Sequence, residues 1–84
     1  MMELVAIQWL DSRGTRRHWD YIEDIIDDGI CLMFSIGWVL KETDEYIQIA
    51  PHIGTDPKQA CGDMVIPKVA VVKRQEIKLR GWQP

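Results

Sequence analysis

The sequence predicts a mainly β fold, a small five-stranded barrel with one short helix after the first strand. Apolar residues alternate with a period of two along most of the chain, which is typical of strands with one face toward a core. The chain has 84 residues, of which 46% are apolar, and this is enough for one hydrophobic core. We therefore expect one domain over residues 1–84, with a core over 1–80 and a frayed tail over 81–84.

The first third of the chain is predicted to form a strand and then a helix. Alternating apolar positions with β-branched and aromatic side chains place the strand at Glu3–Leu10. Turn-forming residues at 11–14 end this strand. Apolar residues at three- and four-residue spacing then predict a short amphipathic helix within His18–Asp28, and Gly29 is its expected stop.

A second, long strand is predicted at Ile30–Lys41, where both alternating faces are almost entirely apolar. A strand buried on both faces must be central or strongly curved, and we place the bend or bulge of a small barrel at Gly37. Trp38 is expected to be a core residue, because it lies on the fully apolar face. Cys31 is also expected in the core, as a small apolar side chain.

Three further strands complete the predicted barrel. A polar turn at 42–45 lies between two apolar runs and is predicted to join the second and third strands. Residues 51–62 contain two Pro and two Gly and show no period, so we expect a long loop there, of the kind that often carries function. The predicted strands are Tyr46–Ala50, Met64–Ile66 and, after an interruption at Pro67, Val69–Leu79.

The segment GDMVIPKVAVVKRQEI, residues 62–77, points to a particular kind of barrel. It resembles the step from the fourth strand through a short turn to the fifth strand in Sm-like barrels. The resemblance covers 16 of the 84 residues. It implies a small SH3-like or Sm-like barrel, and with it Sm-like RNA binding as one expected function.

A second pattern spans nearly the whole chain and consists of four short motifs. They are Trp9-Leu10-Asp11, Trp19 with Glu23-Asp24, Ser35–Leu40 and Ile66-Pro67-Lys68. The pattern resembles small uncharacterised proteins of phages and prophages. Many such proteins bind host proteins or sequester small signalling molecules of host defence, so the resemblance implies a binding protein with a counter-defence role.

Composition excludes a membrane-spanning helix. The longest apolar run, Ile30–Leu40, has about 11 residues, against about 20 that a bilayer requires. The N-terminus lacks the basic and apolar segments of a secretory signal. We therefore expect no membrane partner and a cytoplasmic location, which is the host cell cytoplasm if the protein is encoded by a phage.

Charge is distributed unevenly along the chain. Residues 18–28 carry five carboxylates and no Lys or Arg, whereas residues 64–84 carry five basic side chains and one Glu. Opposite charge blocks favour self-association, and the sequence therefore predicts a homo-oligomer. The net charge of −3 argues against duplex nucleic acid as a partner.

The sequence predicts no catalytic site, metal site or cofactor. The histidines His18 and His52 lack the spacing of a zinc site, and the two cysteines form no CxxC pair. No GxSxG motif marks a nucleophilic serine. A hydrolase built on His52 and Cys61, nine residues apart in the predicted loop, remains a minor alternative.

One cluster of side chains is suited to a small anion. Arg13, Arg16 and Arg17 surround a glycine and a threonine, and guanidinium groups bind phosphate through two parallel hydrogen bonds. Trp19 follows and can stack on a nucleobase, alone or with Trp9, although packing of the helix onto the barrel explains both indoles more simply. The loop residues His52 and Lys58 complete the predicted site.

These observations predict a non-enzymatic, phage-type binding module that forms a homo-oligomer and sequesters a small nucleotide-like anion. The alternative is a docking module that binds a host or phage protein. It would use the acidic helix, the basic last strand and exposed sheet edges. Sm-like RNA binding is the third possibility, which the negative net charge disfavours.

Overall fold

The computed structural model describes residues 2–12, 19–25 and 29–81. The fold is mainly β, as predicted, and consists of a five-stranded antiparallel sheet and a separate two-stranded sheet. The strands are β1 (Leu4–Ser12), β2 (Ile30–Glu42), β3 (Tyr46–Ala50), β4 (His52–Thr55), β5 (Lys58–Cys61), β6 (Met64–Pro67) and β7 (Val71–Ile77).

The large sheet has the strand order β6-β3-β2-β1-β7, so β6 and β7 are its edges. A 3-10 turn at Lys68–Ala70 connects these two edge strands, so the interruption predicted at Pro67 falls just after it, and Pro67 itself is the last residue of β6. The turn is fixed to the β2–β3 connection, because the Lys68 N–H donates a hydrogen bond to the Glu45 carbonyl over 2.8 Å. No hydrogen-bonded ladder joins β6 to β7 in the described residues, and a closed barrel is not shown.

The core lies on one face of the sheet, which we call the inner face. Directly opposed residues of antiparallel strands share a face, and β1 and β3 each contribute alternate residues to this one. Trp9 belongs to it, and its indole N–H donates a hydrogen bond to the Ser35 hydroxyl over 3.0 Å. The buried side chains of the cluster are Val5, Ile7, Trp9, Ile47, Ile49 and Ile66.

The neighbouring strands β2 and β3 approach each other closely at Gly37. A Cβ at Gly37 would lie 3.1 Å from both the Ala50 carbonyl oxygen and the Ile49 Cβ, which is closer than side chains normally approach. A β-bulge follows in β2 between Val39 and Lys41 and increases the local twist. The bulge of β2 therefore lies just beyond Gly37, the position predicted for a bend or bulge, and Gly37 itself allows the close approach of β3.

The prediction of a long loop at residues 51–62 was wrong. This segment forms the β4–β5 hairpin, in which His52 pairs with Cys61 and Thr55 pairs with Lys58. Most of its side chains are exposed. Its two strands therefore lack the apolar alternation from which strands are predicted. Pro51 and Gly62, whose φ is +75°, separate it from the β3–β6 ladder.

The predicted helix within His18–Asp28 is not seen in the part that the structure describes. That part contains one three-residue 3-10 turn, Ile22–Asp24, while residues 18 and 26–28 lie outside the described residues. Ile22 is 86% exposed and Ile25 is 60% exposed. Their helical spacing therefore does not correspond to a buried helix face.

A charged cluster joins distant parts of the chain. The Arg74 guanidinium donates hydrogen bonds to both carboxylate oxygens of Glu42, over 2.7 and 3.0 Å, and to Glu3 over 3.0 Å. The Lys68 ammonium lies 2.8 Å from Glu42. The cluster links β7, the end of β2, the start of the chain and the 3-10 turn between the edge strands.

The Glu42 carboxylate should make the fold sensitive to acid. Hydrogen bonds from Arg74 and then Lys68 lower its pKa from 4.5 to about 2. A carboxyl with a lower pKa in the folded than in the unfolded chain stabilises the fold at pH values above about 4.5. That stabilisation is lost as the pH falls toward about 2 and, because the cluster is partly exposed, it should not exceed about 1 kcal/mol.

The check is urea unfolding of the wild type and of Glu42→Gln, each at neutral pH and near pH 2.5. The wild type should lose up to about 1 kcal/mol more unfolding free energy than the variant over this interval. Glu45→Gln is the matched control, because no described ion pair involves Glu45. An equal loss in the wild type and Glu42→Gln would contradict the assignment.

Candidate interaction surface

The face of the sheet opposite the core, which we call the outer face, carries a row of exposed apolar side chains. They lie at alternate positions of β2, opposite Ser12, Leu10, Gln8 and Ala6 of β1. The four residues, which we call the apolar stripe, are Ile30 (64% exposed), Leu32 (47%), Phe34 (75%) and Ile36 (61%). A contiguous exposed row of this kind is typical of an interaction surface.

The stripe corrects the prediction that β2 is buried on both faces. β2 is central in strand order, but the described residues form a core on one face of the sheet only. Trp38, predicted as core, is half-buried on the outer face opposite Leu4, whereas Trp9 is the buried indole. Cys31 is also only half-buried, and both cysteines are free thiols.

A shallow groove of about 360 Å³ runs beside the stripe. Phe34 and Ile36 of β2 line one wall, and Lys73 and Gln75 of β7 line the other. The small side chain of Ala6 on β1 lies between them and opposite both Ile36 and Gln75. The outer face thus presents the protruding apolar stripe directly beside this groove.

The far end of the β1–β2 ladder extends beyond its neighbours. β7 pairs with β1 only as far as Trp9, and β3 pairs with β2 only from Trp38 onward. Residues 10–12 and 30–32 therefore form a two-stranded arm, and no other described strand pairs with either of its edges. Two-stranded ribbons are marginally stable in water, and the arm carries apolar side chains of the outer face to its tip.

The chain is less compact than an average domain of its length. The radius of gyration is 16.5 Å, whereas a compact domain of this length has about 12 Å. The accessible surface is 7069 Å², whereas a compact monomer of this mass exposes about 5,200 Å². The chain therefore exposes about 1,900 Å² more than a compact monomer does.

The predicted ligand-binding residues are distributed over two segments. Arg13, Arg16 and Arg17 lie outside the described residues. Trp19 has a fully exposed indole, while His52 and Lys58 lie at opposite ends of the β4–β5 hairpin. Lys58 is opposite Thr55, three positions from His52, so alternation of side chains places the two on opposite faces of the hairpin. Within the described ranges, no hydrogen bond or ion pair joins these three residues.

The pairing of Trp9 with Trp19 around an anion is not formed, because Trp9 lies in the core. The hydrolase alternative requires His52 close to Cys61 and a third group that orients them. Cys61 does lie directly across the hairpin from His52, but no hydrogen bond of either side chain to a third group is present among the described residues. Those residues also contain no group of three or more His, Cys, Asp or Glu that could hold a metal ion.

The apolar stripe is the feature for which the prediction from the sequence was wrong. The apolar alternation of β2 is plain in the sequence, but whether the rest of the chain covers one face or both depends on how the sheet curves.

Comparisons with protein-family models, with curated proteins and with solved structures returned no match. Among the described residues, no helix is long and apolar enough to cross a membrane.

Proposed function

We propose that this protein is a non-enzymatic docking module that works as a homo-oligomer, in which the outer face of the sheet is covered by a second copy. The apolar stripe on β2 is the observation that supports it most directly. Side chains such as Phe34, 75% exposed, contribute about 1.5–3 kcal/mol each when they become fully buried. Several of them buried together can stabilise a specific complex.

The exposed area favours a second copy of the chain as the occupant. A standard protein interface takes about 800 Å² from each partner, and the excess surface of about 1,900 Å² per chain exceeds that amount. A two-fold interface also requires a self-complementary surface. The outer face meets this requirement, because the protruding Phe34 lies beside the groove over Ala6. The Phe34 ring of each copy can therefore enter the groove of the other.

The finer fold prediction, a small SH3-like or Sm-like barrel, fits this proposal. The two edge strands are joined by the short Lys68–Ala70 turn, which limits how far apart they can lie. The Arg74–Glu42 hydrogen bonds also connect β7 to the end of β2 on the inner face. We regard the sheet as a barrel that is incompletely closed, and phage-type origin with a host-cytoplasmic location as part of the same proposal.

A second candidate function is sequestration of a small nucleotide-like anion. The fully exposed indole of Trp19 favours it, because a bare aromatic face next to guanidinium groups can stack on a base while phosphate is bound. Arg13, Arg16 and Arg17 precede it in the sequence. The two candidates are compatible, since the anion site and the outer face use different residues.

Native mass spectrometry of the purified wild type tests the docking proposal and reports retained ligands in the same spectrum. We expect a species of twice the chain mass of 9.8 kDa at about 10 μM, since assembly follows mass action. A chain that remains at 9.8 kDa in mass spectrometry and in light scattering would contradict self-association. A nucleotide released on heating would support the second candidate.

Arg16→Ala combined with Arg17→Ala should abolish anion binding and leave the fold intact. A charge-assisted hydrogen bond contributes about 1.5–3 kcal/mol, so loss of two should weaken binding by two or more orders of magnitude. The measurement is calorimetric titration with mononucleotides and with cyclic di- and trinucleotides. Lys41→Ala is the control, as a basic residue outside the predicted site. Wild-type protein that binds none of these probes would rule out the second candidate.

A further inference from the structure

We propose that the two copies pack with the two-fold axis along their strands, so that Phe34 and Ile36 of each copy fill the groove of the other. This inference rests on the proposed self-association and specifies how the two outer faces meet. A two-fold axis between stacked sheets runs either along the strands or across them. Along the strands, each strand keeps its direction and like ends of the two copies meet. Across the strands, opposite ends meet.

The outer face of the β1–β2 ladder protrudes further over β2 than over β1. On β2, Phe34 is 75% exposed and Ile36 is 61% exposed. Their partners in the ladder, Gln8 and Ala6 of β1, are half-buried and line the groove. The protruding side chains and the groove therefore occupy neighbouring strands at the same height along the ladder, and neighbouring strands lie about 4.8 Å apart.

An axis along the strands, between β1 and β2, exchanges these two strands. It places β2 of each copy over β1 of the other and leaves the height along the strands unchanged. By the register of the ladder, Ile36 then lies over Ala6 of the second copy, and Phe34 lies over Gln8. Both grooves are filled, and the two Phe34 rings lie side by side at about 5 Å, a separation that aromatic pairs prefer.

An axis across the strands gives a poorer fit. It places β2 of one copy over β2 of the other, so protruding side chains meet protruding side chains. With the axis at Phe34, the two rings meet head-on, and the groove over Ala6 faces the groove of the other copy and stays empty. Interfaces pack as densely as protein interiors, and empty space loses contacts. Shape therefore selects the axis along the strands.

The same axis extends the contact into the arm. Leu10 of β1 and Leu32 of β2 are opposite each other in the ladder, and they are 38% and 47% exposed on the outer face. The axis along the strands places Leu32 of each copy over Leu10 of the other. Apolar side chains thus meet from the groove to the arm, where no other described strand supports the ladder.

Cross-linking between single cysteines distinguishes the two axes. The starting chain carries Cys31→Ser and Cys61→Ser, which remove both native thiols. Ser12→Cys then places one thiol on the outer face at the exposed end of the ladder. With the axis along the strands, the two thiols of a dimer are separated by about the sheet spacing of 10 Å. With the axis across the strands at Phe34, they are about 26 Å apart along the strands.

A bismaleimide that bridges about 15 Å should therefore join Ser12→Cys chains into covalent dimers, because it exceeds the sheet spacing. The complementary sample mixes Ser12→Cys with Leu4→Cys, two positions that an axis across the strands at Phe34 brings together. Mass spectrometry should show each variant linked to itself and no mixed dimer. A mixed dimer without a Ser12→Cys homodimer would overturn this geometry and leave self-association standing.

Filling the groove is an independent test. Ala6→Leu adds a side chain where Phe34 and Ile36 of the second copy lie, so the dissociation constant measured by sedimentation should rise at least about tenfold. Ala60→Leu is the control, because it makes the same change on the exposed strand β5, and circular dichroism checks that both variants fold. An unchanged dissociation constant in Ala6→Leu would overturn this geometry. A wild type that is monomeric would instead overturn the proposed function itself, so the two failures are distinct.

Discussion

Replacement of Phe34 by Asp should convert the assembled protein into folded monomers. Phe34 is 75% exposed in the single chain, so loss of its ring changes little in the core. In the dimer the same position is covered, and a carboxylate buried there has no partner. Burial of an unpaired charge costs several kcal/mol, so we expect the dissociation constant to rise at least about a hundredfold.

Sedimentation measures the dissociation, and circular dichroism with urea unfolding shows whether the monomer is folded. Val69→Asp is the matched control, because Val69 is 98% exposed but lies in the 3-10 turn between β6 and β7. It introduces the same charge away from the outer face and should leave the dimer intact. A dimer that persists unchanged in Phe34→Asp would mean that the stripe is not the interface.

Replacement of Ile47 by Ala should cause the largest loss of stability. Ile47 is 1% exposed and lies in β3, opposite Ile66 in the core cluster. Truncation of a buried Ile removes transfer free energy and leaves a cavity, at a cost of about 2–5 kcal/mol. Small domains have total stabilities of only about 0.05–0.15 kcal/mol per residue, so this loss could leave the chain largely unfolded.

Urea unfolding of Ile47→Ala gives the change in free energy. Val65→Ala is its control, because Val65 lies on the neighbouring strand opposite Gln48 and is 51% exposed. It removes two methyl groups from the surface and should cost less than about 1 kcal/mol. Equal losses in the two variants would indicate that the cluster around Ile47 is not the core.

The strands that supply the core could be predicted from the sequence, because the alternation of apolar residues along a strand is a local pattern. Alternation located β1, β2, β3 and the step at Pro67 within a few residues of their observed positions. Ile47 and Ile49 occupy alternate positions of the predicted strand Tyr46–Ala50, and both are buried. For β3, a clear period of two was enough to identify the face that meets the core.

The exposure of the outer face could not be predicted, because it depends on how segments that are distant in the sequence pack together. Phe34 and Ile47 both occupy apolar alternating positions, yet one is exposed and the other buried. The two residues lie on opposite faces of the sheet, and the core of the described residues covers only one of these faces. The β4–β5 hairpin was missed for another reason, since its strands are held by backbone hydrogen bonds between exposed residues and have no apolar period.

The pairing of β1 with β7 has a consequence for biosynthesis. β1 lies between β2 and β7, and about 67 residues separate its start from the start of β7. At about 5–20 residues per second, the ribosome needs about 3–13 s to make that stretch. During this interval the edge of β1 that later pairs with β7 is open, next to the uncovered apolar stripe. The nascent chain is therefore most prone to aggregation before its last strand is complete, and prompt pairing with β7 removes one of the two exposed surfaces.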